Sequence, residues 1–187
     1  MSATQKALLT MPVTEGRDHL EGPPDAAVTL VEYGDYECPY CGAAYPVIKE
    51  VRARMGGRLR FVFRHFPVMT SHSRAEQAAE AAEAAASQGK FWQMHHLLYE
   101  NQAHLRDPDL HAYAEKIGLD VEKFEGELAR HVHATRVRED FMSGVRSGVS
   151  GTPTFYINGA RHEEDEYEVE TLLDILDRAA VSGRRRG

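Results

Sequence analysis

Two cysteines three residues apart are the groups in this chain best suited to covalent chemistry. Cys38 and Cys41 lie in residues 28–51, VTLVEYGDYECPYCGAAYPVIKEV, where an apolar, β-branched run (Val28, Leu30, Val31, Tyr33) is broken by Gly34 and Asp35. The pair then opens a predicted helix. Pro39 suits a first turn, where its missing N–H is no loss and its fixed φ is already helical. A thiol at a helix N-terminus meets converging N–H groups and roughly half a positive charge, which lowers its pKa from the free value of about 8.5. Cys38 is therefore the expected nucleophile, and Cys41, one turn deeper and more sheltered, the expected resolving thiol.

Two other uses of a C-x-x-C pair fit less well. Tetrahedral zinc wants four ligands, and this chain has two cysteines; among its ten histidines, His95 and His96 are adjacent, and His131 and His133 are too close for a finger-type pair. A purely structural disulfide here would span one helical turn, closing too short a loop to restrain the unfolded chain. No metal and no cofactor are expected, and the chemistry that remains is thiol–disulfide exchange.

The rest of the chain has to position these sulfurs. Its 187 residues, 42% apolar and 27% charged, suit one ordinary domain with room for an elaboration. A net charge of −7 argues against nucleic acid or an anionic membrane as partner. No secretory leader pattern and no membrane-spanning run is visible, so the expected address is cytoplasmic. Residues 1–24, with Pro12, Gly16, Gly22, Pro23 and Pro24, read as an irregular arm, for surface packing or a swapped dimer.

Residues 28–33 read as a central strand buried on both faces. Glu32 is the exception: an acid there either reaches an edge as a surface group or has a task, whereas Glu37 reads as a surface glutamate. The helix after Cys38 buries Ala43, Ala44, Val47, Ile48 and Val51, should kink near Gly42 because of Pro46, and stops at Gly56-Gly57. Residues 58–66 alternate as a second strand, completing a βαβ unit. His65 ends that strand at the same sheet edge as Cys38, so it either approaches the thiols or bonds a nearby loop.

From Ser71 or Ser73 to Arg146 the pattern is helical. A capping box, Ser73 to Glu76, precedes an alanine-rich helix whose glutamates (76, 80, 83) line one face and whose role is packing. An aromatic and methionine stripe follows from Phe91 to Tyr99, then helices over 107–116, 120–130 and 131–146. Thr154 to Ile157 is a strand, Asn158-Gly159 a hairpin turn and 160–162 its partner. An acidic loop (163–168) leads to a last amphipathic helix, and residues 182–187 read as a tail.

The strand, the C-P-Y-C pair, Pro46 five residues past Cys41, and Gly151-Thr152-Pro153-Thr154-Phe155 together resemble the thioredoxin superfamily. The helical stretch between the two motifs resembles its DsbA-like branch. The resemblance implies an α/β thioredoxin fold, βαβ plus ββα around a mixed sheet. Its parts would be 25–68 and 149–181, with 69–148 an inserted helical subdomain. It further implies a cis bond before Pro153, which would face the cysteines, keep metal off them, and turn the Thr152 backbone towards an extended substrate. Glu32, six residues before Cys38, matches the buried acid of that pattern, where a carboxyl of raised pKa exchanges a proton with Cys41.

The expected activity is a thiol–disulfide oxidoreductase acting on protein or peptide thiols and disulfides. Cys38, Cys41 and Glu32 carry the chemistry; Pro39, Tyr40, Thr152 and Pro153 meet the substrate. Glutathione or a thioredoxin-type donor supplies electrons, and the cytoplasmic address leans towards reduction or isomerisation. Pro39-Tyr40 is also the glutaredoxin dipeptide, which leaves a glutathione-linked enzyme open, as is a peptide-binding module with incidental thiols.

Overall fold

The computed structural model describes residues 7–163 and 168–183. Positions 1–6, most of the acidic loop (164–167) and the arginine-bearing end from 184 lie outside them. Five strands form one mixed sheet: β1 (His19–Glu21), β2 (Val28–Gly34), β3 (Leu59–His65), β4 (Thr154–Ile157) and β5 (Ala160–Arg161). They lie in the order β1-β3-β2-β4-β5. Among the described residues seven α-helices accompany them: α1 (Pro39–Met55), α2 (Ala75–Ala86), α3 (Phe91–Glu100), α4 (Asp107–Lys116), α5 (Val121–Ala129), α6 (Ala134–Arg146) and α7 (Val169–Gly183).

The apolar run of β2 is central because both of its neighbours are long-range partners. β3 pairs with it in parallel through the α1 crossover, and β4 pairs antiparallel on the other side. Side chains alternate across the sheet. Val28 and Leu30 join a core with α1, the alanine-rich face of α2, α3 and α7, while Val31 and Tyr33 join Val62, Phe66 and Tyr156 on the opposite face. Glu32 shares the first face, level with Phe63 on β3 and Phe155 on β4. The fold is the mixed thioredoxin sheet anticipated from the two motifs.

Local signals account for several boundaries. α1 runs unbroken through Pro46 and ends at Gly56 (φ 51°). Asp120 caps α5 by accepting the Lys123 N–H, and Asn158 and Gly159, both at positive φ, turn β4 into β5.

Other boundaries differ from the local reading. β1 lies within the segment read as irregular; it is a short polar strand made by its pairing with β3. Ser73 caps nothing: Arg74 is the N-cap of α2, and its N–H is taken at 2.6 Å by the Glu37 carboxylate, so Glu37 joins the two loops instead of standing free. α6 begins at Ala134, after a turn with His131 at φ 51°. Glu80 and Glu83 of α2 are both buried.

The N-terminal segment packs on its own chain. Leu9 donates to the Gly159 carbonyl, and the Arg64 guanidinium donates to the carbonyls of Met11 and Pro12. Arg64 is fully buried; Asp18 accepts from its Nε at 2.9 Å and its Nη2 at 3.0 Å. Burial alone would push the Asp18 carboxyl up, but the hydrogen bonds from Arg64 and from the Thr14 N–H outweigh it, and its pKa falls. Removing one member of such a pair strands the other charge in the interior, at a cost of about 3–5 kcal/mol. Asp18→Ala should lose that much in urea unfolding, a large share of a domain's total stability; a loss under about 1 kcal/mol would show that Arg64 finds water instead.

Candidate active site

The site is assembled where the carboxyl end of β2 meets the first turn of α1. Asp35 shapes the connection: its carbonyl accepts the Cys38 N–H, and its carboxylate accepts the N–H groups of Glu37 and Val68 and bonds His72 Nδ1 at 2.7 Å. Burial pulls the His72 pKa down, but the bond to Asp35 outweighs it and the net shift is upward. From α3's far end, Gln102 Nε2 donates to the carbonyls of Tyr36 and Cys38, both at 2.9 Å. The bare Gly42 leaves room for that amide: a Cβ there would sit 1.9 Å from Gln102 Oε1 and push the side chain aside.

Cys38 is the N-cap of α1, with Pro39 in the first turn. Both cysteines are free thiols, and Cys38 keeps 3% of its surface against 0% for Cys41. Its S–H donates to the Thr152 carbonyl at 3.3 Å, across from the Thr152–Pro153 peptide, which is cis. Pro39 and Tyr40 stand exposed beside it, Tyr40 at 74%.

The three acids of the site are driven apart in pKa. Cys38 is lowered from 9.0 to about 5. The largest cause is the Cys41 S–H; the Thr152 hydroxyl and the N–H groups of Cys41 and Tyr40 add to it, against the opposing effect of burial. The helix N-terminus thus contributes, but less than the partner thiol. Thr152 Oγ1 is buried without a hydrogen-bond partner while Cys38 is a thiol, which leaves it free for the thiolate. Cys41 is pushed well up, first by burial, then by the proton it shares with Cys38 and by the charges of Glu32 and Cys38. Glu32, wholly enclosed, is raised from 4.5 to about 8 by burial and then by the Cys38 charge.

His65 does not reach the thiols. Its Nε2 bonds Glu83 Oε1 at 2.8 Å, and the same oxygen bonds His19 Nε2 at 2.8 Å. These three are, among the described residues, the one group of histidines and acids close enough to suit a metal ion, and neither cysteine belongs to it. His72 and Gln102 carry no local sequence signal, since each meets its partner from 37 or more residues away.

A mixed five-stranded sheet with a free thiol pair at the end of its central strand defines a thioredoxin-fold protein with a C-x-x-C site. A family profile described as Thioredoxin matches residues 14–178. The chain belongs to the thioredoxin superfamily, and its fold is that of the DsbA-like members. A thioredoxin-like oxidoreductase from Silicibacter pomeroyi DSS-3 is 27% identical with a TM-score of 0.76, the match covering 88% of this chain and 93% of that one. Oxidised BdbD from Bacillus subtilis is 22% identical with a TM-score of 0.79, covering 95% and 100%. Among curated proteins, the Na(+)/H(+) antiporter NhaA 1 of Salinispora arenicola (strain CNS-205) is 47% identical over 178 residues, 95% of this chain. NhaA 1 of Mycobacterium sp. (strain KMS) is 46% identical over 171 residues, 90% of this chain. The chain spans only about a quarter of the length of these curated relatives, 27% and 28%. No helix among the described residues is long and apolar enough to cross a membrane.

The Glu32 shift has a stability consequence. Between pH 4.5 and about 8 the unfolded chain has lost this proton while the folded chain keeps it, so stability falls as pH rises through that window. In the reduced protein, Glu32→Gln should therefore be more stable than the parent at neutral pH by roughly 3 kcal/mol, a difference that vanishes below about pH 4. Urea unfolding at several pH values checks this, and a pH-independent difference would mean that Glu32 is ionised in the folded state.

Proposed function

We propose that this chain is a thiol–disulfide oxidoreductase for protein or peptide substrates, working through the Cys38–Cys41 dithiol. The observation that supports it most directly is the opposed displacement of the two sulfurs: Cys38 held down at about 5 and Cys41 pushed well up. One sulfur is then a ready nucleophile at neutral pH, while the other keeps its proton until it is needed.

In the reducing direction the Cys38 thiolate attacks a substrate disulfide. A Cys38–substrate S–S bond forms, the substrate's own S–S bond breaks, and its second sulfur leaves as thiolate. Glu32, in its ionised fraction, takes the Cys41 proton; the Cys41 thiolate attacks Cys38, forms the internal disulfide and releases the remaining substrate thiolate. Once Cys38 is in the mixed disulfide, its charge no longer raises Glu32, so the carboxylate becomes a more available base at the step that uses it. The same steps reversed oxidise a substrate dithiol. The Thr152 carbonyl, beside Cys38 and ahead of Pro153, would pair with an extended substrate backbone, and Pro39 and Tyr40 would flank it. Electrons come from glutathione or a thioredoxin-type donor.

The thiolate also bears on direction. A sulfur ionised at about 5 stabilises the reduced state at pH 7 by about two pH units' worth, or about 60 mV of potential for a two-electron couple. That leans the couple towards oxidation or isomerisation more than the cytoplasmic address alone would suggest. Segments of this kind form part of chains named Na(+)/H(+) antiporters, and the exchange chemistry proposed is the same for a free domain or one part of a longer chain.

Two measurements test the reading. Cys41→Ser should accumulate a mixed disulfide on Cys38 when given a peptide disulfide, whereas Cys38→Ser should form none; equal adducts on both would discard the assignment of roles. The potential, measured in glutathione buffers, should fall by about 30 mV per pH unit above pH 5, since only one proton is released on oxidation. A slope of twice that through neutral pH would mean Cys38 carries an ordinary thiol.

A further inference from the structure

Tyr99, on α3, has a buried side chain whose hydroxyl finds no hydrogen-bond partner in the protein. Its ring is locked by neighbours, with centroids 4.8 Å from Tyr36, 5.2 Å from Tyr45 and 5.0 Å from His95. A hydroxyl left unpaired in such a place loses the full value of its hydration, so it is normally kept for a partner present in some state of the site. Tyr36 shows the contrast: its hydroxyl, equally enclosed, bonds His95 Nδ1 at 3.0 Å.

Gly34 lies beside Tyr99 and a titratable group of the site. A Cβ built there would meet the Tyr99 hydroxyl at 2.6 Å and Glu32 Oε1 at 3.0 Å. The two oxygens thus converge on the last residue of β2, three positions before the active-site loop reaches Glu37, and only the absence of a side chain at Gly34 leaves them room. The other groups around Glu32 are fixed in their roles. Cys38 and Cys41 lie on α1, Tyr36 is bonded to His95, the Asp35 carboxylate is occupied by Val68, Glu37 and His72, and Phe63 and Phe155 on the flanking strands do not titrate.

We propose that Tyr99 is a positioning residue for the proton-transfer step, donating its hydroxyl hydrogen to the Glu32 carboxylate, directly or through one water, whenever Glu32 is ionised. The inference rests on the oxidoreductase reading for its use, though not for its test. A hydrogen bond to an ionised acceptor is about twice as strong as one to a neutral group, so Tyr99 favours the charged form of Glu32 against the burial that opposes it. Without it Glu32 would hold its proton about one pH unit further towards alkali and take the Cys41 proton less often near neutral pH. The upward displacement of the Tyr99 phenol itself, caused first by burial and then by the charges of Cys41 and Glu32, keeps it a donor throughout.

The test is Tyr99→Phe, which keeps the ring packing and removes only the hydroxyl. Carbon-13 NMR titration of Glu32 in the reduced full chain should show its midpoint about one pH unit higher in the variant than in the parent. Cys38 ionisation, followed by thiolate absorbance, should stay in place. In stopped-flow resolution of a Cys38–glutathione mixed disulfide, the rate at pH 7 should fall about tenfold with the high-pH plateau unchanged. Adding Tyr99→Phe to Glu32→Gln should cost nothing further in that rate. An unmoved Glu32 midpoint overturns the proposal, as does an equal loss in the Glu32→Gln background, which would mark a packing effect. The NMR arm decides the matter even if the protein exchanges no disulfides, so failure of the oxidoreductase reading would be seen separately.

Discussion

Cys38, Cys41 and Glu32 share one negative charge between them, and the structure decides which of the three carries it. Two like charges about 5 Å apart repel by roughly 3 kcal/mol at an effective dielectric near 20, which is enough to keep a second acid protonated. Cys38 wins because it alone has donors arranged for the ionised form: the Cys41 S–H, the Thr152 hydroxyl and the first N–H groups of α1. Cys41 and Glu32 are enclosed and feel that charge, so both keep their protons near neutral pH. Under the proposed chemistry, exchange moves the charge from Cys38 to Cys41 by way of the substrate, and Glu32 is where the Cys41 proton would wait.

The two faces of the sheet solve opposite problems. On the face of Glu32 the packing of α1, α2 and α3 encloses the carboxyl, and it stays neutral because burial and the Cys38 charge both oppose its ionisation. On the other face, Arg64 is buried yet fully supplied with acceptors by Asp18, Tyr33 and the carbonyls of the N-terminal segment. Interchanging these solutions would fail: a cation beside Glu32 would drop its pKa and remove the proton reservoir, and an unpaired Arg64 would be strongly destabilising.

Legibility in the sequence followed the range of the interaction. The βαβ unit, the helix start at Pro39, the stop at Gly56, the Asp120 cap and the Asn158-Gly159 turn are written in adjacent residues, and the structure has each of them. The placement of both cysteines at a strand-to-helix junction was legible for the same reason, and Glu32 stood out as an acid in an apolar run. By contrast, β1 is three polar residues that become a strand only against β3. Arg64, read as one face of an alternating strand, is buried because Asp18, 46 positions away, meets it. Ser73 lost its cap to a carboxylate 37 positions before Arg74. Gln102 and Tyr99 reach the site from the helical region between β3 and β4, where their spacing reads only as core.

Everything at this site depends on where the charge resides in the reduced protein. Thiolate absorbance near 240 nm, followed from acid to alkali with the Cys38→Ser variant as reference, reads this directly. A single sulfur should ionise with a midpoint of about 5 and the second only at the alkaline end. A first ionisation near 9, or two sulfurs titrating together, would contradict it.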